Sequence, residues 1–74
     1  MAGTDLVSLG KKIAAARVML GLSQRAFAAE IGVHSVTVAD WERGKAEPTL
    51  AHLRAVATRT RHPLEWFLPE GETK

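Results

Sequence analysis

The sequence predicts an all-α fold of five short helices, and three observations predict it. Apolar residues recur at spacings of three and four rather than alternating, which is the helical period and not the strand period. Capping residues stand immediately before the apolar runs, Ser23 and Thr49 most clearly, and Gly21, Gly32 and Gly44 stand just after them. With 46% hydrophobic residues in a chain of 74, there is enough apolar side chain for one compact core and too much for a disordered tail.

The first helix is expected over residues 5–20, with Thr4 as its N-cap. Leu6, Leu9, Ile13, Ala16 and Leu20 form its apolar stripe, and Gly21 supplies the left-handed residue that ends it. Ser23 caps a second helix over residues 24–31, with Phe27 and Ile31 on its inner face. Ala28 is small, as close approach of the next helix demands, and Gly32 is the turn. The third helix begins near Ser35, reaches Glu42 or Arg43 and is closed by Gly44; Val38 and Trp41, three apart, point inward. Pro48-Thr49 breaks the chain and caps a fourth helix over residues 50–60, with Leu50, Leu53, Val56 and Ala57 as its core stripe. His62-Pro63 opens a short last helix with proline at the first helical position, where its missing N–H is harmless. Leu64, Phe67 and Leu68 anchor that helix, and Pro69-Glu70-Gly71 ends it.

The expected core is Leu9, Ile13, Leu20, Phe27, Ile31, Val38, Trp41, Leu53, Val56 and Phe67. One domain fills residues 1–74, ordered over about 5–69 with a frayed tail at 70–74, and neither a repeat nor a linker interrupts it.

Composition removes several function classes. There is no cysteine, which excludes disulfides and thiolate metal sites and fits a cytoplasmic location. No 18-residue apolar run is present, so no membrane span is expected, and the N-terminus lacks a secretory pattern. His34, His52 and His62 are too far apart for zinc-ligand spacing. Neither a Cys–His or Ser–His–Asp set nor a phosphate-binding glycine loop appears, so no enzyme, cofactor or small-molecule ligand is expected. The net charge of +2 permits a nucleic-acid partner without identifying one.

The third helix is the informative one. Val36, Ala39, Asp40 and Arg43 lie opposite Val38 and Trp41, and Ser35 and Thr37 flank the first turn. The outer side near the helix start carries no bulky residue to hold it away from a base edge. A short helix buried on one side only is suited to entering the major groove of DNA.

The pattern Leu22-Ser23-Gln24, Ala28, Ile31-Gly32-Val33, Val38 and Trp41-Glu42-Arg43-Gly44-Lys45, continued by Pro48 and the Leu50/Leu53/Val56-Ala57 helix, resembles the lambda repressor/Cro type of helix-turn-helix, often called XRE-like. Any one of these positions is a weak signal; all of them in register over residues 9–68 are a specific one. The resemblance implies a five-helix lambda repressor-like DNA-binding domain, with the helix-turn-helix at residues 23–45. It also implies that an arginine of the first helix, Arg17, pairs with Glu42 to clamp the recognition helix. A departure follows the fourth helix, where Thr60-Arg61-His62 replaces the usual apolar–glycine–apolar junction.

Base-reading candidates are Ser35, Val36, Thr37 and Asp40, and each has a rival role. Ser35 is also the natural N-cap of its helix. Val36 suits a thymine methyl, the alternative being a core or dimer contact. Thr37 can bond DNA or fold its hydroxyl onto its own helix. Asp40 can accept from a cytosine amino group or stand as a solvated spacer. Phosphate candidates are Gln24 and Arg25 at the start of the second helix, His34 at the turn, and Arg43 and Lys45 past the third helix. Trp66 is a possible dimer contact, or it lies over the core edge. A Glu30-centred acidic patch on the second helix is a candidate polymerase contact.

These features predict a sequence-specific, double-stranded-DNA-binding transcriptional regulator, acting as a homodimeric repressor by occlusion. The length suggests a minimal Cro-like or phage immunity repressor, associated with the nucleoid through DNA. The alternative is a helix-turn-helix module or antitoxin-type regulator whose main partner is another protein.

Overall fold

The computed structural model describes residues 5–68, in which five helices follow one another: α1 (Leu6–Met19), α2 (Gln24–Ile31), α3 (Ser35–Glu42), α4 (Leu50–Thr60) and α5 (Leu64–Phe67). The side chain of Asp5 caps α1 by accepting from the Ser8 amide at 3.2 Å; Thr4, the expected cap, lies outside the described residues. Leu20 closes α1 and Gly21 follows at φ 74°, one residue earlier than expected for the helix end. Ser23 and Thr49 cap α2 and α4 as anticipated, their hydroxyls accepting from the amides of Ala26 at 3.0 Å and His52 at 3.1 Å.

Three expectations are corrected. Ser35 is the first residue of α3 rather than its cap; His34 takes the cap position and makes no side-chain cap bond. Pro63 is likewise the cap of α5 and not its first helical residue, with an extended ψ of 150° that a residue outside the helix adopts. Leu50 is 56% exposed instead of joining the core. Side chains lean toward the helix N-terminus, so a first-turn residue reaches back over the preceding loop, where Pro48 is already buried.

The core consists of Leu9, Ile13 and Ala16 from α1, Phe27 and Ala28 from α2, Val38 and Trp41 from α3, Leu53, Val56 and Ala57 from α4, and Phe67 from α5. Leu20 and Ile31, expected within it, pack at its rim together with Leu22, Val33, Leu64 and Leu68. The polar junction after α4 buries Thr60 and leaves Arg61 exposed. The Thr60 hydroxyl donates to the Val56 carbonyl at 2.8 Å, so its own polar group is satisfied. Arg61 adopts φ 60°, the left-handed conformation that glycine takes more cheaply.

Two glycines bring α1 and the end of α3 together. A Cβ on Gly10 would stand 2.3 Å from the Trp41 carbonyl oxygen and 2.7 Å from that of Glu42. A Cβ on Gly44 would stand 3.2 Å from the Val7 backbone, and Gly44 also needs its φ of 75°. The end of α3 therefore meets bare backbone on α1.

Gly10→Ala should destabilise the domain by about 1–3 kcal/mol through overpacking, although alanine is the better helix former by about 1 kcal/mol. Arg61→Gly should do the opposite and stabilise by roughly 0.5–1 kcal/mol by relieving the left-handed strain. Urea unfolding of the two variants beside the parent checks both signs. A Gly10→Ala protein as stable as the parent would contradict the close packing.

Candidate nucleic-acid interface

The outer face of α3 is fixed from behind. Val38 is fully buried and Trp41 is 3% exposed, with the Trp41 ring tilted against His52 at a centroid separation of 5.5 Å. The end of the helix is held by a polar cluster. Arg17 Nε donates to Glu42 Oε2 at 2.6 Å and Nη2 to Oε1 at 3.1 Å, a two-pronged guanidinium–carboxylate pair. Arg17 Nη1 also donates to the Leu22 carbonyl at 2.8 Å, which ties the same guanidinium to the loop before α2.

Gln24 joins this cluster, its Nε2 donating to Glu42 Oε1 at 2.9 Å. That contact is absent from the sequence reading, which placed the amide toward a phosphate. An amide nitrogen carries two hydrogens, so the bond to Glu42 occupies one of them. The signal lay in a combination: Gln24 stands in the first turn of α2, next to the loop that Arg17 already grips. The Arg17 and Glu42 side chains are only 15% and 7% exposed, so their pairing orients α3 more than it stabilises it.

On the opposite side stand the reading candidates. Val36 is 61% exposed, four residues before Asp40 on the same side of the helix. Ser35 and His34 are exposed at the helix start, and Thr37 is half-buried beside them. No side chain caps α3; the Thr37 amide donates to the His34 carbonyl at 3.0 Å, and this first turn stands at the positive end of the helix dipole. Arg43, at the far end, donates through Nη2 to Asp40 Oδ1 at 3.4 Å. Lys45 and Arg25 are exposed. The fold thus brings Ser35, Val36, Thr37 and Asp40 onto one helix with cations at its margin.

One other expected feature takes a different place. Glu30 pairs with Arg59 across α2 and α4, so its carboxylate is partly neutralised and does not centre an acidic patch. Trp66 is 37% exposed and lies over the His62 ring at 4.3 Å, with Phe67 edge-on at 5.0 Å. No helix among the described residues is long and apolar enough to cross a membrane.

Known proteins share this arrangement. The family model described as helix-turn-helix matches residues 13–67. The HTH-type transcriptional regulator DicA of Escherichia coli is 32% identical over 71 residues, covering 96% of this chain and 53% of that protein. The chain therefore spans about half the length of that curated relative. The restriction-modification controller protein C.AhdI from Aeromonas hydrophila superposes with a TM-score of 0.80 at 28% identity, over 86% of this chain and 93% of the other. The P22 c2 repressor, crystallised with a synthetic operator, gives a TM-score of 0.77 at 30% identity over 81% and 91% of the two chains. Alongside a two-helix unit whose second helix is gripped from one side and open on the other, these matches establish that the chain belongs to the helix-turn-helix family, in its lambda repressor/Cro-like branch of DNA-binding transcription regulators.

Proposed function

We propose that the chain regulates transcription by occupying a double-stranded DNA operator as a homodimer, with α3 of each protomer in the major groove. The observation that carries this is the contrast along one short helix: Val38 is fully buried and Val36, two residues earlier, is 61% exposed. An apolar side chain presented on a helix that is locked from behind suits contact with a thymine methyl. Ser35, Thr37 and Asp40 supply the polar part of base reading. Gln24, Arg25, His34, Arg43 and Lys45 take the phosphates. Two such helices about 34 Å apart would read half-sites one helical turn apart.

Trp66 is the proposed centre of the dimer contact, since an aromatic ring on a terminal helix with more than a third of its surface open is a common interface anchor. The regulator acts by blocking, in the cytoplasm and without catalysis, because occupancy of an operator requires no further chemistry. A second reading, a module whose partner is another protein, draws support from Val18 and Met19, which are 61% and 74% exposed at the end of α1.

Salt separates the two readings. Two protomers each placing Arg25, Arg43 and Lys45 on phosphates make about six charged contacts, enough for roughly a 10³-fold loss of affinity between 50 and 200 mM salt. A gel shift on the DNA upstream of its own gene at those concentrations measures it; affinity insensitive to salt would favour the protein partner. Substitution divides the labour further. Val36→Arg and Thr37→Ala should change sequence preference with the fold intact, whereas Trp41→Ala should cost about 3–5 kcal/mol of stability. Thermal melts showing equal destabilisation in all three would refute that division.

A further inference from the structure

We propose that Asp40 and Arg43 form one coupled reading unit, in which the base facing Asp40 decides whether Arg43 reaches the DNA backbone. The inference rests on the sequence-specific DNA-binding reading above. Asp40 stands on the same side of α3 as the exposed Val36, where an isolated carboxylate would only repel a polyanion. It is not isolated: its Oδ1 accepts from Arg43 Nη2 at 3.4 Å, one helical turn on. Both side chains are open to solvent, 36% exposed for Asp40 and 60% for Arg43, so the pair is weak and readily exchanged. Glu42 offers Arg43 no substitute partner, because its carboxylate is buried and engaged by Arg17 and Gln24.

Base chemistry sets the direction of the exchange. A carboxylate can only accept hydrogen bonds, and in the major groove guanine and thymine present only acceptors. Adenine presents a donor flanked by the N7 acceptor, which repels the second carboxylate oxygen. Cytosine presents the N4 donor without such a neighbour. Opposite cytosine, Asp40 turns to the base and frees the Arg43 guanidinium for a phosphate. Opposite guanine or thymine, Asp40 stays on Arg43, and the base bond and the phosphate contact are lost together. One weak ion pair thereby doubles the penalty for a wrong base.

The coupling has a readout of its own, the salt slope. The full chain is used to select sites from a randomised duplex pool, and affinity is then measured over a range of salt on the selected site and on the same site with cytosine changed to guanine opposite Asp40. The expected result is a cytosine preference at one position per half-site, with a log–log salt slope steeper by about 0.9 per half-site on the cytosine duplex. Asp40→Ala should abolish both the preference and the slope difference, and Arg43→Gln should abolish the slope difference while a reduced preference for cytosine remains. Asp40→Ser serves in place of Asp40→Ala if melting shows that variant to be misfolded. Equal slopes for the parent on the two duplexes, or a cytosine preference that survives loss of the carboxylate, would overturn the coupling while leaving sequence-specific binding intact. Selection of no site at all would remove the DNA-binding reading itself and the coupling with it.

Discussion

The end of α3 rests on the bare backbone of α1 at Gly10, and the presentation of the outer face of α3 depends on that contact. No side chain fits between the two helices there, because even a methyl group would stand within 2.3 Å of the Trp41 carbonyl oxygen. The turn that follows, at Gly44, also lies close to Val7, with 3.2 Å between a Cβ placed there and the Val7 backbone. Backbone against backbone sets the spacing of the helices, and interdigitated Val38 and Trp41 set the rotation of α3 about its own axis. The start of α3 is then left projecting, with exposed residues and no capping side chain to cover it.

Glu42 converts this packing into a defined orientation. Its two carboxylate oxygens take bonds from Arg17 on α1 and Gln24 on α2, so three helices meet at one side chain. Such a buried pair recovers little of its desolvation cost as net stability, but it removes alternative arrangements. Because Gln24 stands at the start of α2, the start of that helix and the end of α3 are tied at one carboxylate.

Much of this was legible in the sequence where a single residue type carries a local signal. Ser23 and Thr49 before apolar runs, glycines after them, and the three-residue spacing of Val38 and Trp41 fixed four helices to within a residue. The family pattern supplied the Arg17–Glu42 pair, which no local rule would have found. The misses at Gly10, Leu50 and Gln24 share one cause: they are tertiary. Gly10 reads as a weak spot in a helix until the neighbouring carbonyls are in view. Leu50 has the right spacing for the core stripe but the wrong end of the helix, and Gln24 finds Glu42 eighteen residues away only after both helices are placed. Cap assignments at His34 and Pro63 slipped by one because a turn can borrow an extended residue with no capping side chain.

The junction between α4 and α5 is where local rules and the global fold disagree most, and the disagreement has a structural use. Arg61 holds a left-handed conformation at some cost, and the buried Nδ1 of His62 has no hydrogen-bond partner among the described residues. Against these costs stand Phe67, fully enclosed in the core, and the His62 ring packed against Trp66 with Phe67 edge-on to it. Lys12 adds a bond from α1 to the Leu68 carbonyl at 3.4 Å. A four-residue helix has too few internal hydrogen bonds to persist alone, so these tertiary contacts are what hold it. They also fix the side of α5 from which Trp66 projects. In a homodimer each half-site helix is positioned by the partner as much as by its own core, so an interface anchored on Trp66 would need its direction set before the partner arrives. The strained residue, the buried imidazole and the enclosed Phe67 together set that direction.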